Sequence, residues 1–211
     1  MHISDDRYFR DRERHDLALR MIRHEARTCT IRACTGLTDD RIRRLYKTYA
    51  GHMKTTPLRR RGKSPRQAAF FTRNTQAQFE ASLLASLFIS FGLLSATRRR
   101  SRDLIEIGRL FCDAYELHGQ LLGMLQISFE HAWFLLQLLS RSRELELTRC
   151  RQCDSLYLRN DFNPLRRWCP TCKLKAPKKA RRAARRVDNG ASGIPPESSS
   201  TPPPQGRMAG C

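Results

Sequence analysis

Residues 81–97 read ASLLASLFISFGLLSAT, 17 positions without a charge, and whether they cross a bilayer or fill a core decides the fold. A spanning helix needs about 20 predominantly apolar residues. This run is shorter, starts beside Glu80 and carries Ser82, Ser86, Ser90 and Ser95. The arginines Arg98, Arg99 and Arg100 would suit a membrane flank and keep a spanning alternative open. The better reading is a helix buried on all sides, or buried at a subunit contact, with no membrane involved.

Working outward, the apolar positions from Asp16 to Leu147 recur almost everywhere at helical spacing, and proline interrupts only at Pro57 and Pro65. Helices are expected near 15–28, 30–35, 39–50, 73–95, 102–119 and 124–146. No stretch alternates cleanly between turn dipeptides, so strands are a minor component at most. Residues 59–66 (RRRGKSPR) read as a loop marked by Gly62 and Pro65, with five basic residues. The expected fold is mainly α. A charged flexible leader (1–14) precedes a helical body (15–147) with a helix-turn-helix-like segment at 30–50. A small four-cysteine subdomain (148–175) and a basic, then Pro/Ser-rich, disordered tail (176–211) follow.

Charge narrows the function. Forty Lys and Arg stand against 20 Asp and Glu in 211 residues, a formal net charge of +20. A neutral metabolic enzyme has no need of that excess, which points to a polyanion: nucleic acid or an anionic membrane face. Residues 1–149 carry 27 bases and 16 acids, residues 150–186 carry 12 and 2, and residues 187–211 one and two. The last segment holds five Pro, four Ser and four Gly in 25 residues, too little apolar surface to offset chain ordering.

Eight cysteines could suggest a secreted disulfide scaffold. Residues 1–16 alternate acids and bases without an apolar run, so they do not read as a signal peptide. A reducing compartment is expected, where paired cysteines more often hold metal. Cys150, Cys153, Cys169 and Cys172 form C-x2-C-x15-C-x2-C. Each pair can turn back tightly enough for both sulfurs to reach one ion, and the spacer lets the pairs close a tetrahedron. Four thiolates leave no position for water or substrate, so one structural Zn²⁺ is expected. Nothing in the ligands themselves excludes iron, and a thiolate-iron redox protein stays open as another class.

Zinc with four thiolates is formally −2, which Arg149, Arg151, Arg166, Arg167 and Lys173 could offset. Two units do not absorb the +10 of residues 150–186. Residues 173–186 (KLKAPKKARRAARR) hold eight bases and no acid, and Lys178, Lys179, Arg181 and Arg182 are candidate phosphate contacts. The alternative is a solvated basic run that binds any polyanion. Tyr157, Phe162 and Trp168 are expected to pack around the metal loop rather than stack on bases.

The second constellation lies in residues 30–49. A short helix is expected to end at Gly36, which can take the left-handed conformation of a tight turn. Thr38 can cap the next helix, whose positive end suits Asp39 and Asp40. At 100° per residue Ile42, Leu45, Tyr46 and Tyr49 share one arc. Arg41, Arg43, Arg44 and Lys47 take the other side and are candidate DNA contacts. That is the layout of a helix-turn-helix, a docked apolar face and a basic face free for the major groove. A packed helix with a solvated basic face would show the same pattern.

Nothing points to an enzyme. His24, His52, His118 and His131 lack metal spacing with a carboxylate base, and neither an HExxH nor a Walker loop occurs. Cys29, Cys34 and Cys112 fall in helical segments and are expected to be buried, and His131 beside Trp133 to be packed.

The order of these parts is familiar. The 37–47 helix comes first, then a Phe70–Thr72 segment leading into a long apolar helix, then Ala132-Trp133 on a further helix and the four-cysteine close. Over about residues 15–180 this resembles the FlhC family, the bacterial flagellar master transcriptional activator subunit. The resemblance implies a mostly helical, cytoplasmic, zinc-containing protein joined in a hetero-oligomer to the smaller subunit FlhD. It also implies duplex DNA upstream of flagellar operons and RNA polymerase as partners, with Cys150, Cys153, Cys169 and Cys172 as the ligands. The leader before Asp16 and the tail after Arg186 are taken to lie outside the family pattern. The same basic tail and zinc knuckle would also serve a zinc-stabilised RNA- or ribosome-binding protein. A-form RNA, whose major groove admits no reading helix, would separate the two.

Overall fold

The computed structural model describes residues 3–50, 57–60, 62–94, 103–141, 144–160 and 168–175. The chain divides into two units, Met1–Ala176 and Pro177–Cys211, and every described residue belongs to the first. The expected tail, with Lys178, Lys179, Arg181 and Arg182, lies outside the described residues, as do Phe162, Arg166 and Arg167.

The fold is mainly helical. Helix α1 (Ile3–Arg23) begins far earlier than the expected boundary near residue 15, so residues 3–14 are helical turns rather than a flexible leader. Alternating charges are compatible with this because a helix brings opposite signs together. Arg12 and Asp16 lie 3.9 Å apart one turn on, Asp11 reaches Arg41 at 3.3 Å, and Glu13 reaches Arg109 at 2.9 Å. The C-terminal half of α1 buries Leu17, Ala18, Met21 and Ile22. A corner at Glu25, whose φ is 57°, leads into α2 (Thr28–Thr35).

Gly36 ends α2 at φ 69°. α3 (Asp39–Ala50) follows, the Thr38 hydroxyl accepting the Arg41 N–H at 3.4 Å. A 3₁₀ turn (Ala68–Thr72) leads into α4 (Thr75–Ser90), capped by Asn74, which accepts the Ala77 N–H at 2.7 Å. Helices α5 (Leu104–Leu122) and α6 (Phe129–Arg141) complete the body.

Helix α4 carries most of the uncharged run. It buries Ala77, Ala81, Leu84, Ala85 and Phe88 against α5, α6, the 3₁₀ turn and the elements that follow, but leaves Phe79 and Ile89 exposed. It is therefore central rather than covered on every side. Among the described residues no helix is long and apolar enough to cross a membrane. Two buried carboxylates tie the loops down by accepting backbone N–H groups, two at Glu80 and one at Glu130, that would otherwise be orphaned. Glu80 accepts from Gln126 at 3.0 Å and Ile127 at 2.8 Å. Glu130 accepts the Arg27 N–H at 2.7 Å and the Thr30 hydroxyl at 3.0 Å.

The helix expected over 124–146 is shorter than its apolar pattern. Residues Leu145–Arg149 form strand β1, antiparallel to β2 (Leu156–Asn160), with Leu145 opposite Asn160 and Arg149 opposite Leu156. A short helix α7 (Pro170–Lys175) closes the described chain.

Candidate metal centre and nucleic-acid interface

The β1–β2 turn holds the first cysteine pair. Cys150 donates its N–H to Ser155 O at 2.9 Å, and Asp154 donates to Cys150 O at 2.9 Å. Asp154 closes the turn at φ 55°, a conformation that Asp tolerates better than most residues. Its carboxylate meets Arg149 at 2.8 Å on the surface. The second pair sits at the start of α7, where Pro170 occupies the first helical position and needs no N–H partner.

The four Sγ atoms of Cys150, Cys153, Cys169 and Cys172 lie within 4.8 Å of one another. Cys153 and Cys169 are 3.6 Å apart at sulfur, far beyond a disulfide bond of about 2.05 Å. A tetrahedron with metal–sulfur bonds of about 2.3 Å has edges of about 3.8 Å, so the cluster matches the size such an ion requires. Two backbone N–H groups point at sulfur, Cys169 to Cys150 at 3.2 Å and Cys172 to Cys169 at 3.4 Å. Hydrogen bonds of this kind favour thiolate over thiol.

The titration of the group points the same way. The Cys153 thiol is lowered to about 6, first by the Ser155 hydroxyl, whose oxygen is 3.4 Å from Sγ. Cys172 is raised to about 12, first by its contact with Cys153. Cys150 is lowered as well and Cys169 raised, so two of the four sulfurs ionise ahead of the other two, a split that a shared divalent cation would remove. The donor set therefore fits a metal ion held by four thiolates.

Around the sulfurs the buried core is small: Cys150, Tyr157, Cys169 and Cys172, with Trp168 packed against them. Tyr157 and Trp168 thus pack as expected. So little apolar surface does not hold a segment by itself, and the main body contributes the rest. Leu158 belongs to the body's core. Its carbonyl accepts the Gln78 side-chain N–H at 2.7 Å, and its N–H donates to Ser82 Oγ at 2.9 Å. Gln78 and Ser82 on α4 thereby satisfy the strand next to the first cysteine pair. Neither role was read from the sequence, although Ser82 was noted as a polar break in the uncharged run; the available signal was two polar side chains four residues apart on one face of that helix.

The helix-turn-helix-like segment is assembled from α2, Gly36 and α3. Ile42 and Tyr46 are buried, the Tyr46 hydroxyl donating to Ala26 O, while Leu45 is half-buried. Tyr49, expected on the docked face, is 37% exposed because α3 is covered only along its inner edge. Arg41, Arg43, Arg44 and Lys47 are all exposed. Arg41 pairs with Asp11 at 3.3 Å, Arg43 with Asp40 at 2.9 Å. Arg44 and Lys47 make no ion pair with a described residue.

Among the other cysteines, Cys34 and Cys112 are buried, but Cys29 is exposed, contrary to expectation. It sits on the first turn of α2, its Sγ 3.5 Å from Ser64 Oγ. His131 packs, stacking on Phe70 with ring centres 4.1 Å apart.

Compared with known proteins, the chain matches the family described as flagellar transcriptional activator (FlhC) over residues 5–187. The match starts inside the leader that was expected to fall outside the pattern, in keeping with residues 3–14 being part of α1. No curated protein matches the chain.

Proposed function

The chain belongs to the FlhC family of flagellar transcriptional activators, and from that premise we propose that it activates flagellar operons by binding duplex DNA in a hetero-oligomer with FlhD. The observation that carries the reading is the two-sided α3: Ile42 and Tyr46 buried against the body, Arg41, Arg43, Arg44 and Lys47 turned outward. Such a helix can enter a major groove with its donors at the base edges. Lys178, Lys179, Arg181 and Arg182 neutralise phosphates without reading sequence.

The metal is one zinc ion, held by Cys150, Cys153, Cys169 and Cys172. When bound it supplies a structural crosslink with no open coordination position, and hence no catalysis. Its formal −2 leaves most of the basic excess for DNA. The protein works in the bacterial cytoplasm, where thiolates remain reduced, and the assembled complex recruits RNA polymerase to the promoter.

The test is a footprint on DNA upstream of a flagellar operon, with and without co-expressed FlhD. Arg43→Ala with Arg44→Ala should relax the preference for promoter over scrambled duplex. Deleting residues 177–186 should weaken binding to both equally and flatten its salt dependence. Protection that survives both changes intact would place the DNA contacts elsewhere.

A further inference from the structure

Between α3 and the 3₁₀ turn runs a basic segment that the proposed reading leaves unused. Its described residues, 57–60 and 62–67, have no helix or strand, yet they are fastened at several points. Leu58 donates its N–H to Glu25 Oε1 at 3.4 Å. The Arg60 guanidinium grips Glu25 Oε2 with Nε at 3.0 Å and Nη2 at 2.7 Å. Arg27 donates to Gly62 O, and Arg59 lies 5.8 Å from the Tyr46 ring centre on α3.

The anchor at Glu25 is informative. Glu25 occupies the corner between α1 and α2 at φ 57°, where glycine or asparagine would be relaxed and a long side chain is strained. Its carboxylate does what neither could, holding the segment at both Leu58 and Arg60. A solvated string of cations needs no such fastening. The fixed loop leaves Lys63 and Arg66 exposed, with no ion pair to a described residue, on a segment whose Arg59 leans on the helix that carries Lys47.

We propose that this loop is a second DNA-contact element, a phosphate clamp in which Lys63 and Arg66 hold the duplex backbone beside the groove entered by α3, with Glu25 as the positioning residue that fixes the loop. The partner is the sugar-phosphate backbone of duplex DNA. The described loop has neither the helix nor the strand pair that a major groove admits, so its cations are placed for the backbone rather than for base edges. Fixing it beforehand lowers the ordering cost of binding. The inference rests on the reading of α3 as a DNA-entering helix.

The experiment uses the full chain co-purified with FlhD and two labelled duplexes, promoter and scrambled, titrated by anisotropy from about 50 to 200 mM salt. Lys63→Ala with Arg66→Ala should reduce the salt slope by about 1.8, at about 0.9 per phosphate. Over that fourfold rise in salt, the affinity loss then shrinks by about tenfold, equally on both duplexes. Glu25→Gln should weaken binding to both, and adding the Lys63 and Arg66 changes to it should have less effect than in the wild-type background. An unchanged slope in the double variant overturns the clamp, as does a loss confined to promoter DNA. If Arg43→Ala with Arg44→Ala still relaxes promoter preference in that case, the clamp alone falls. If the wild type does not prefer promoter over scrambled DNA, the reading of α3 falls with it.

Discussion

Ser82, Ser86 and Ser90 lie one turn apart on α4, and each donates its hydroxyl to the carbonyl four residues earlier. Only Ser82 also receives the Leu158 N–H from β2, at 2.9 Å in a fully buried position. Replacing Ser82 by alanine leaves that N–H without a partner, at a cost of about 1–3 kcal/mol. The helix-propensity gain of Ser→Ala returns about 0.5 kcal/mol, for a net loss of about 0.5–2.5 kcal/mol. With a urea dependence of about 2 kcal/mol per molar, the unfolding midpoint should fall by about 0.3–1.3 M. Ser86→Ala is the matched control, because it removes a similar back-bond and no strand contact; it should stay within about 0.5 kcal/mol of wild type or gain slightly. The assay is urea unfolding of both variants followed by far-ultraviolet circular dichroism. Equal midpoints for the two would refute the claim that α4 holds the cysteine-bearing hairpin through Ser82.

Other outcomes follow from the same packing. A Cβ on Gly108 would lie 2.7 Å from Leu17 Cδ2 and 2.9 Å from Cys34 Cβ. Gly108→Ala should therefore destabilise despite its helix-propensity gain of about 1 kcal/mol, overpacking costing about 1–3 kcal/mol. A raised thermal midpoint would contradict the close α1–α2–α5 approach. Alkylation of the native protein at pH 8 should label Cys29 but spare Cys34 and Cys112, whose thiols burial pushes up, Cys112 to about 12. Peptide mapping that finds Cys34 labelled as fast as Cys29 would contradict the burial. Glu116 is held at about 2, below its ordinary 4.5, first by hydrogen bonds from Arg20 and then from His24. Because the folded value is the lower one, its contribution is full above about pH 4.5 and is lost as pH falls from there toward 2. Glu116→Gln should flatten the pH dependence of the urea midpoint in that window, and an unchanged profile would remove Glu116 from the account.

Some of this architecture is legible in the residues because the physics is local. Gly36 can take a positive φ, Thr38 can cap, and Ile42 and Tyr46 share a helical arc, so the α2–α3 turn follows from short-range rules. The cysteine spacing is similarly self-contained: two tight turns and a spacer suffice to bring the sulfurs together. The β1–β2 hairpin is not legible in this way. Leu145 and Leu147 extend the apolar spacing of α6, and the turn that joins the strands is formed by a cysteine pair rather than a glycine dipeptide. The early start of α1 depends on Arg41 and Arg109, which lie on other helices. Glu25, Gln78, Ser82 and Glu130 act across long sequence separations. Their roles depend on which backbone groups the fold leaves unpaired.

The central claim is that a helical body, fastened at its end by a thiolate-bound ion, presents a cationic surface to promoter DNA. Stepwise chelation of the purified complex, with metal content and promoter affinity read from the same samples, tests it most directly. The expected result is one zinc per chain and a loss of promoter binding in proportion to the zinc removed. Full promoter affinity in metal-free protein would contradict it.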